Sequence, residues 1–463
     1  MKFINRASEI KSLQNEYDKD GSSFVILYGR RRTGKTTLLK EFIKNKPAVY
    51  FLGDLENENI QIKRFQEISA ASLNDNFLKK INLVKLDSIF EYIAEKFGRS
   101  DKKLIIIIDE FQYLYKVNKA IPSIFQRIWD NNLKDANIML VLCGSVISLM
   151  YETALNYSSP LYGRRTSQIR LHPLKFKDYG KFFPEIDNNA KLLEFYALTG
   201  GIPKYIEFIE VKKDIYSNIN DNFLNKNSFL YMEPKFVLKD EIREEATYFS
   251  ILEAISSGEH KISNISKRLM LEAKNITSFI EKLIEMEILE REVPVTEENP
   301  LKSKRGLYFI KDNFFRFWFK YIFPYMSYLE IEQYEFVMEK IKKDFHVFTS
   351  FVFEKVSKDF LMEQKAPFEI RKIGRWWDKD KEIDIVALSK NNEAIFGECK
   401  YWKEKVGLNV LADLKEKVRY VENKTGFKRT FFAIFSKSGF SEELTELSKK
   451  DENILLYSLD KMF

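Results

Sequence analysis

Three largely apolar runs punctuate the first third of the chain: FVILY at 24–28, LIIII at 104–108 and NIMLVLCGS at 137–145. Strands buried on both faces of a parallel sheet read this way, whereas half-exposed strands alternate. Further on the period changes. Phe249, Leu252 and Ile255, then Ile262, Ile265 and Leu269, then Ile276, Ile280, Leu283 and Ile284 recur at helical spacing, which predicts three short amphipathic helices between 243 and 310. They are followed by ILEREVPV, the turn LKSKRG and LYFIKD, which read as strand, loop and strand. NFFRFWFKYIFPYMSYL at 313–329 carries Phe and Trp at helical spacing, and such density predicts burial at a domain interface rather than stacking on bases. From about 341 a helix containing FTSFVFEKVSKDFL precedes two strands, EIDIVAL at 382–388 and AIFGECKYW at 394–402.

At 463 residues the chain exceeds what one core serves, so two to four domains are expected. Two cysteines, Cys143 and Cys399, in unrelated apolar settings fit a reducing compartment better than a disulfide framework. The polar start MKFINRASEIK does not read as a signal peptide, and no apolar run reaches the roughly 18 residues that span a bilayer. A cytoplasmic protein without a membrane partner is the expectation. The net charge of +7 is a small surplus of 75 basic over 68 acidic residues, so only local patches can argue for a polyanionic partner.

The run at 24–28 leads directly into GRRRTGKTT and the helical LLKEFIKN, the strand, loop and helix of a GxxxxGK[ST] phosphate loop. Gly29 and Gly34 let the backbone wrap around phosphates, with its N–H groups directed inward at a helix N-terminus. Arg30, Arg31, Arg32, Thr33 and Thr37 belong to the same loop, the arginines facing either nucleotide or solvent. Lys35 is placed to reach the β- and γ-phosphates of ATP, and Thr36 to ligate Mg²⁺. The strand at 104–108 ends in Asp109, a second Mg²⁺ ligand, and Glu110, a general base for the attacking water. Ser145, at the end of the third run, either senses the γ-phosphate or caps the next helix.

Together FINRASEIKSL at 3–13, the phosphate loop, LIIIIDEFQYL, LCGSVISLM, PLYGRRT at 160–166, LHPLKF at 171–176 and TGGIPKY at 199–205 resemble the archaeal-type ATPases of the AAA+/STAND group over residues 1 to about 235. The resemblance implies a P-loop ATPase core (1–170) followed by a helical lid (171–240). It also implies an arginine finger at Arg164 or Arg165, acting in cis or from a neighbouring subunit of a homo-oligomer.

The helices and hairpin of 241–312 have the order of a winged helix-turn-helix. On DNA, its third helix would offer Lys274, Asn275, Thr277 and Ser278 to the groove, and its wing would set Lys302, Lys304 and Arg305 against phosphate. Such modules also dock protein partners. Residues 313–340 are read as an aromatic helical linker.

In EIDIVAL, Asp384 projects away from Ile383 and Ile385, and in FGECK, Glu398 and Lys400 share one strand face. If the two strands pair as a hairpin, Asp384 and Glu398 form a site of hard oxygen ligands for Mg²⁺ or Mn²⁺, with Lys400 stabilising the attacking water or phosphate charge. A helical Glu, then D, then ExK resembles the PD-(D/E)xK nuclease superfamily over roughly the last 120 residues. By that resemblance Glu354 joins the site, and residues 341–463 form a restriction-endonuclease-like α/β domain, although the leading Pro is replaced by Lys381-Glu382-Ile383. Lys415, on the following helix, either contacts phosphate or is surface. The expectation is thus an α/β multidomain ATPase acting on nucleic acid, DNA foremost. The alternatives are an ATP-dependent signalling switch and an ATP-regulated DNA binder with an inactive nuclease fold.

Overall fold

The computed structural model describes residues 4–242, 245–364 and 366–463. Phe3 of FINRASEIKSL, and Arg243 and Glu244 at the start of the three-helix segment, lie outside the described residues. Two compact units are present: one of residues up to 174 with 202–207 and 239–241, the other of 175–201, 208–238 and 242–463. The segment 171–240, expected as a separate lid, is thus divided between the units.

In the first unit the three apolar runs become strands β1 (Ser23–Tyr28), β3 (Leu104–Asp109) and β4 (Ile138–Gly144), and β2 (Ala48–Leu52) and β5 (Ser167–Arg170), both missed from sequence, complete one parallel sheet in the order β2-β3-β4-β1-β5. β1, β3 and β4 are buried along their whole length, which is why their sequences do not alternate. Successive side chains feed opposite layers. Phe24, Ile26, Ile106 and Ile108 join the larger core, and Val25, Leu27, Ile105 and Ile107 the smaller one under the helix Lys35–Phe42. β4 lies between β1 and β3, so the carboxyl ends of three strands meet at one edge, the usual ligand side of an open α/β sheet.

The second unit contains the expected helices, Glu245–Ser256, Ile262–Leu269 and Ala273–Glu285, followed by the antiparallel hairpin of β6 (Leu289–Glu292) and β7 (Leu307–Ile310). The aromatic segment opens as the helix Asn313–Tyr321, capped by the Asp312 carboxylate accepting from Phe315 N at 2.8 Å. Phe314, Phe315, Phe317, Trp318 and Phe319 are fully buried, and Trp318 Nε1 donates to the Tyr231 carbonyl at 2.6 Å. This segment is core, as its spacing predicts.

After the long helix Tyr334–Gln364 comes a mixed five-stranded sheet, ordered β12-β11-β10-β9-β8. β8 (Ile370–Asp378), β9 (Lys381–Ser389) and β10 (Glu393–Lys400) are antiparallel, while β11 (Arg429–Ser436) and β12 (Ile454–Ser458) run parallel to β10. The helix Leu408–Thr425 makes the crossover from β10 to β11. The long β6–β7 loop lies along the outer edge of β8: Val295 N donates to the Arg375 carbonyl at 3.0 Å, and Val295 packs in one core with Trp376, Ile383 and Val386. Among the described residues no helix is long and apolar enough to cross a membrane.

Trp318→Ala removes a fully buried indole and orphans the Tyr231 carbonyl, so a loss of about 3–5 kcal/mol in unfolding free energy is expected. Denaturant unfolding checks this; a change under about 1 kcal/mol would contradict the core assignment.

Candidate functional site

Gly29 has φ +155° and Gly34 φ +94°, and a Cβ on Gly29 would stand 2.4 Å from the Leu171 carbonyl oxygen. The loop therefore cannot close against β5 with a larger residue at 29. Gly34 sits at the N-cap of the following helix, where Thr36 and Thr37 are exposed. Lys35 lies buried beneath the loop, its Nζ donating to the Gly29 and Arg30 carbonyls at 2.8 Å each. Burial pulls its pKa down, opposed by Cys143, Glu110 and Asp109. Of the three loop arginines, Arg30 is buried, Arg31 pairs with Asp240 and hydrogen-bonds the Tyr113 hydroxyl, and Arg32 adopts φ +69°. Thr33 is buried and donates to the Arg30 carbonyl at 2.9 Å.

Asp109, at the end of β3, accepts from the Thr36 hydroxyl at 2.8 Å through Oδ2. The Tyr50 hydroxyl, from β2, donates to the same oxygen. Asp109 and Thr36, two oxygen donors side by side at the helix N-terminus, fit the Mg²⁺ that accompanies ATP. When bound, that ion would neutralise phosphate charge. Glu110 follows in a left-handed conformation, φ +56°, with its carboxylate accepting from Ser145 Oγ at 2.7 Å and from Gln112. Ser145 is therefore spent on Glu110 and does not cap the helix Ile147–Met150. That role falls to Glu241, whose carboxylate accepts from Ile147 N at 2.8 Å and from Ser148 Oγ at 2.7 Å. Arg164 grips Asp130 at 2.7–3.0 Å and donates to the Pro160 carbonyl, whereas Arg165 donates to the Ala154 carbonyl at 3.0 Å and lies over the Tyr162 ring.

Tyr50, Gln112, Asp240 and Glu241 were not foreseen from sequence. Gln112 could have been noticed in DEFQ, one helical turn past the acids; the others are joined to the site only by the fold.

In the second unit β9 and β10 do pair as a hairpin, with Ile385 opposite Gly397, so Asp384 and Glu398 emerge as neighbours. Asp384 Oδ2 accepts from Cys399 N at 2.8 Å. Glu398 is buried and receives Lys400 Nζ at 2.7 Å and Lys417 Nζ at 3.2 Å. Glu354, from the long helix, forms an ion pair with Arg375 on β8, and Arg375 also reaches Glu382 at 3.2 Å. Burial, then repulsion from Glu354 and Glu398, pushes the Asp384 carboxyl up to about 8. Burial also raises Glu354, opposed by Arg375. Crowded carboxyls holding a proton where acids normally ionise are the donor set a divalent cation satisfies, although among the described residues no group of three or more His, Cys, Asp or Glu is arranged as a metal cage. Arg375 and Lys417 were missed from sequence. Lys417 shares the helix of Lys415, but Lys415 lies over the Phe432 ring while Lys417 meets Glu398.

The residues assigned to nucleic acid divide. Lys274, Asn275 and Ser278 are exposed on the third helix and Thr277 is half-buried; Lys302 and Lys304 are exposed on the loop. Arg305 turns inward, pairing with Glu297 at 3.1 Å and donating to the Trp377 carbonyl, so it fastens the loop to β8.

A parallel sheet with the phosphate loop after β1, paired acids after β3 and Ser145 after β4 defines a P-loop ATPase, and the chain is an ATP-binding enzyme of that class. It belongs to the same family as an uncharacterized protein of Methanocaldococcus jannaschii, to which it is 40% identical over 410 residues, 87% of this chain and 88% of that relative. Residues 3–209 match the family described as an ATPase domain predominantly from Archaea, and residues 318–414 a family described as archaea bacterial proteins of unknown function. An uncharacterized ATP-binding protein of Methanocaldococcus jannaschii is 25% identical over 308 residues, 53% of this chain and 81% of the relative. The solved Walker-type ATPase paby2304 of Pyrococcus abyssi shares the fold at TM-score 0.51 and 20% identity, covering 69% of this chain and 96% of that one.

Lys35→Ala is expected to abolish ATP hydrolysis, and Glu110→Gln to lower kcat by about 10²-fold or more while ATP still binds. Steady-state hydrolysis together with nucleotide binding checks both; full activity in either variant contradicts the assigned roles. Asp384 supplies a stability test. The native state keeps its proton up to about pH 8 while the unfolded chain loses it near 3.8, so stability falls as pH rises through that window. Asp384→Asn should thus gain in Tm over the unmodified protein as pH goes from 4 to 8. A gain independent of pH would contradict this.

Proposed function

We propose that this ATPase acts on nucleic acid, DNA foremost, and that its second unit carries a metal-dependent phosphodiesterase site. The observation that carries the reading is the meeting of Glu354, Asp384, Glu398 and Lys400, from a long helix and a β-hairpin, in a mixed sheet with a helical crossover. Asp384 and Glu398 would hold Mg²⁺ or Mn²⁺, which when bound supplies Lewis-acid stabilisation of phosphate charge. Lys400, 2.7 Å from Glu398, is positioned to orient a water or to neutralise a phosphoryl oxygen. Lys400 and Lys417, which now neutralise Glu398, would be the cations available to a phosphate beside it.

Three helices followed by a hairpin support the winged helix reading of 245–310, with Lys274, Asn275 and Ser278 on its open face and Lys302 and Lys304 beside it. Arg305 serves that surface as an anchor rather than as a phosphate contact. In the first unit, Thr36 and Asp109 would hold the Mg²⁺ that comes with ATP, and Glu110 would act as base on exchanging its bond to Ser145 for the attacking water. Arg164 or Arg165 serves as an arginine finger, in cis or on a neighbouring copy, and Arg164 would have to leave Asp130 to do so.

Incubation with DNA and RNA substrates and Mg²⁺ or Mn²⁺, with and without ATP, tests the reading. Cleavage that disappears in Asp384→Ala and responds to Lys35→Ala is expected. The same cleavage in Asp384→Ala, or none under any condition, overturns it and leaves an ATP-driven switch or DNA binder. Replacing Lys302 and Lys304 should weaken DNA binding and flatten its salt dependence, and an unaltered slope would remove the wing from the interface.

A further inference from the structure

Beside Asp384, and wholly inside the second unit, is a chamber of about 490 Å³. Phe309 of β7, Arg316 of the aromatic helix, Phe351 and Lys358 of the long helix, and Arg375 of β8 line it. Its interior alternates guanidinium planes with aromatic rings. Arg316 lies 4.2 Å from the Phe348 ring and 5.4 Å from the Phe351 ring, and Arg375 lies 5.5 Å from Phe309 and 5.9 Å from Phe351. Arg316 spends Nη2 on the Phe348 carbonyl at 2.6 Å, but its buried Nε has no hydrogen-bond partner. Burial lowers its pKa to about 10, so the charge is kept at neutral pH. A buried guanidinium N–H without an acceptor is costly in a folded core, and an anionic ligand is the simplest way to satisfy it.

The wall acids are largely accounted for. Glu290 pairs with Lys355 at 3.3 Å, Asp344 with Lys320 at 2.6 Å and Glu354 with Arg375, while Glu292 faces Arg375. Of the five cations on the wall, Lys320, Lys355 and Arg375 are taken up by these pairs, which leaves Arg316 and Lys358 to face a ligand. Phe351 is 39% exposed although it belongs to the wall, which leaves an aromatic face available. Aromatic faces next to guanidinium groups are how proteins take up unstacked bases with their phosphates. The volume falls in the range of single-ligand pockets, about 300–1,000 Å³. It is too small for a duplex, whose major groove alone is about 12 Å wide.

We infer that the chamber binds one unpaired nucleotide unit, its base against Phe351 and its phosphate against Arg316 and Lys358, so that the adjoining ester faces Asp384 and Glu398. The inference rests on the phosphodiesterase reading and narrows its substrate class to single-stranded ends, or to free mononucleotides, which share that chemistry. Duplex can serve only where it is frayed or flipped open.

The test is equilibrium binding by the full-length chain carrying Lys35→Ala, in EDTA so that no cleavage occurs. The probes are thymidine 5′-monophosphate, a short oligothymidylate with or without a 5′-phosphate, and a duplex of equal length. The single strand should bind at least about tenfold more tightly than the duplex, and Phe351→Ala, at a partly exposed position, should lose about tenfold or more. Lys358→Gln should weaken the phosphorylated probes selectively. Binding of the monophosphate alone supports the chamber and assigns it to free nucleotides. Equal affinity for duplex and single strand, or unchanged binding in Phe351→Ala, overturns the inference. Because cleavage plays no part, binding without later metal-dependent cleavage would sink the nuclease reading and spare the chamber. Cleavage of blunt duplex as fast as of single strands would do the reverse.

Discussion

One carboxylate oxygen, Oδ2 of Asp109, accepts from the Thr36 hydroxyl at the start of the phosphate-loop helix and from the Tyr50 hydroxyl in the middle of β2. A buried carboxylate oxygen held by two hydroxyl donors is hard to move. It ties the helix that follows the phosphate loop to the end of β3 and the middle of β2. Glu110, next in sequence, is forced into a left-handed turn that sends its carboxylate toward β4 and Ser145 rather than back along β3. The order of the sheet makes this possible, because β4 is inserted between the strands bearing the lysine and the acids.

The second unit solves a different electrostatic problem. Glu354, Asp384 and Glu398 stand close together in a poorly solvated place, where three negative charges cannot coexist unaided. The protein answers with Arg375 on the first, a proton on the second and two lysines on the third. Asp384 differs from its two neighbours in having a backbone donor, Cys399 N, in place of a cationic side chain.

The phosphate loop, the paired acids and the strand–helix order were legible because they depend on neighbours in sequence: the apolar runs, Gly29 and Gly34, and DE at the end of β3. The β9–β10 hairpin could be foreseen from alternation around Asp384. Tyr50, Glu241, Arg375 and Lys417 could not, because each reaches its partner through the fold and sits in an unremarkable local context. Arg305 shows the converse: a basic turn suggests phosphate, yet only the folded loop reveals Glu297 and the Trp377 carbonyl beside the guanidinium. The partition of 171–240 between the two units was equally hidden, since boundary signals mark where chain turns, not which core it joins.

The docking of the β6–β7 loop along β8 bears on how the polypeptide can be divided. β8 is the outermost strand of its sheet, and an uncovered edge offers unpaired N–H and C=O groups to any passing strand. Val295 occupies that edge through the Arg375 carbonyl and fills the apolar corner beside Trp376. A fragment beginning after β7 would therefore carry a raw edge and a hydrophobic notch. The smallest piece that keeps this edge covered therefore starts upstream of the hairpin, so hairpin and terminal sheet are to be expressed together.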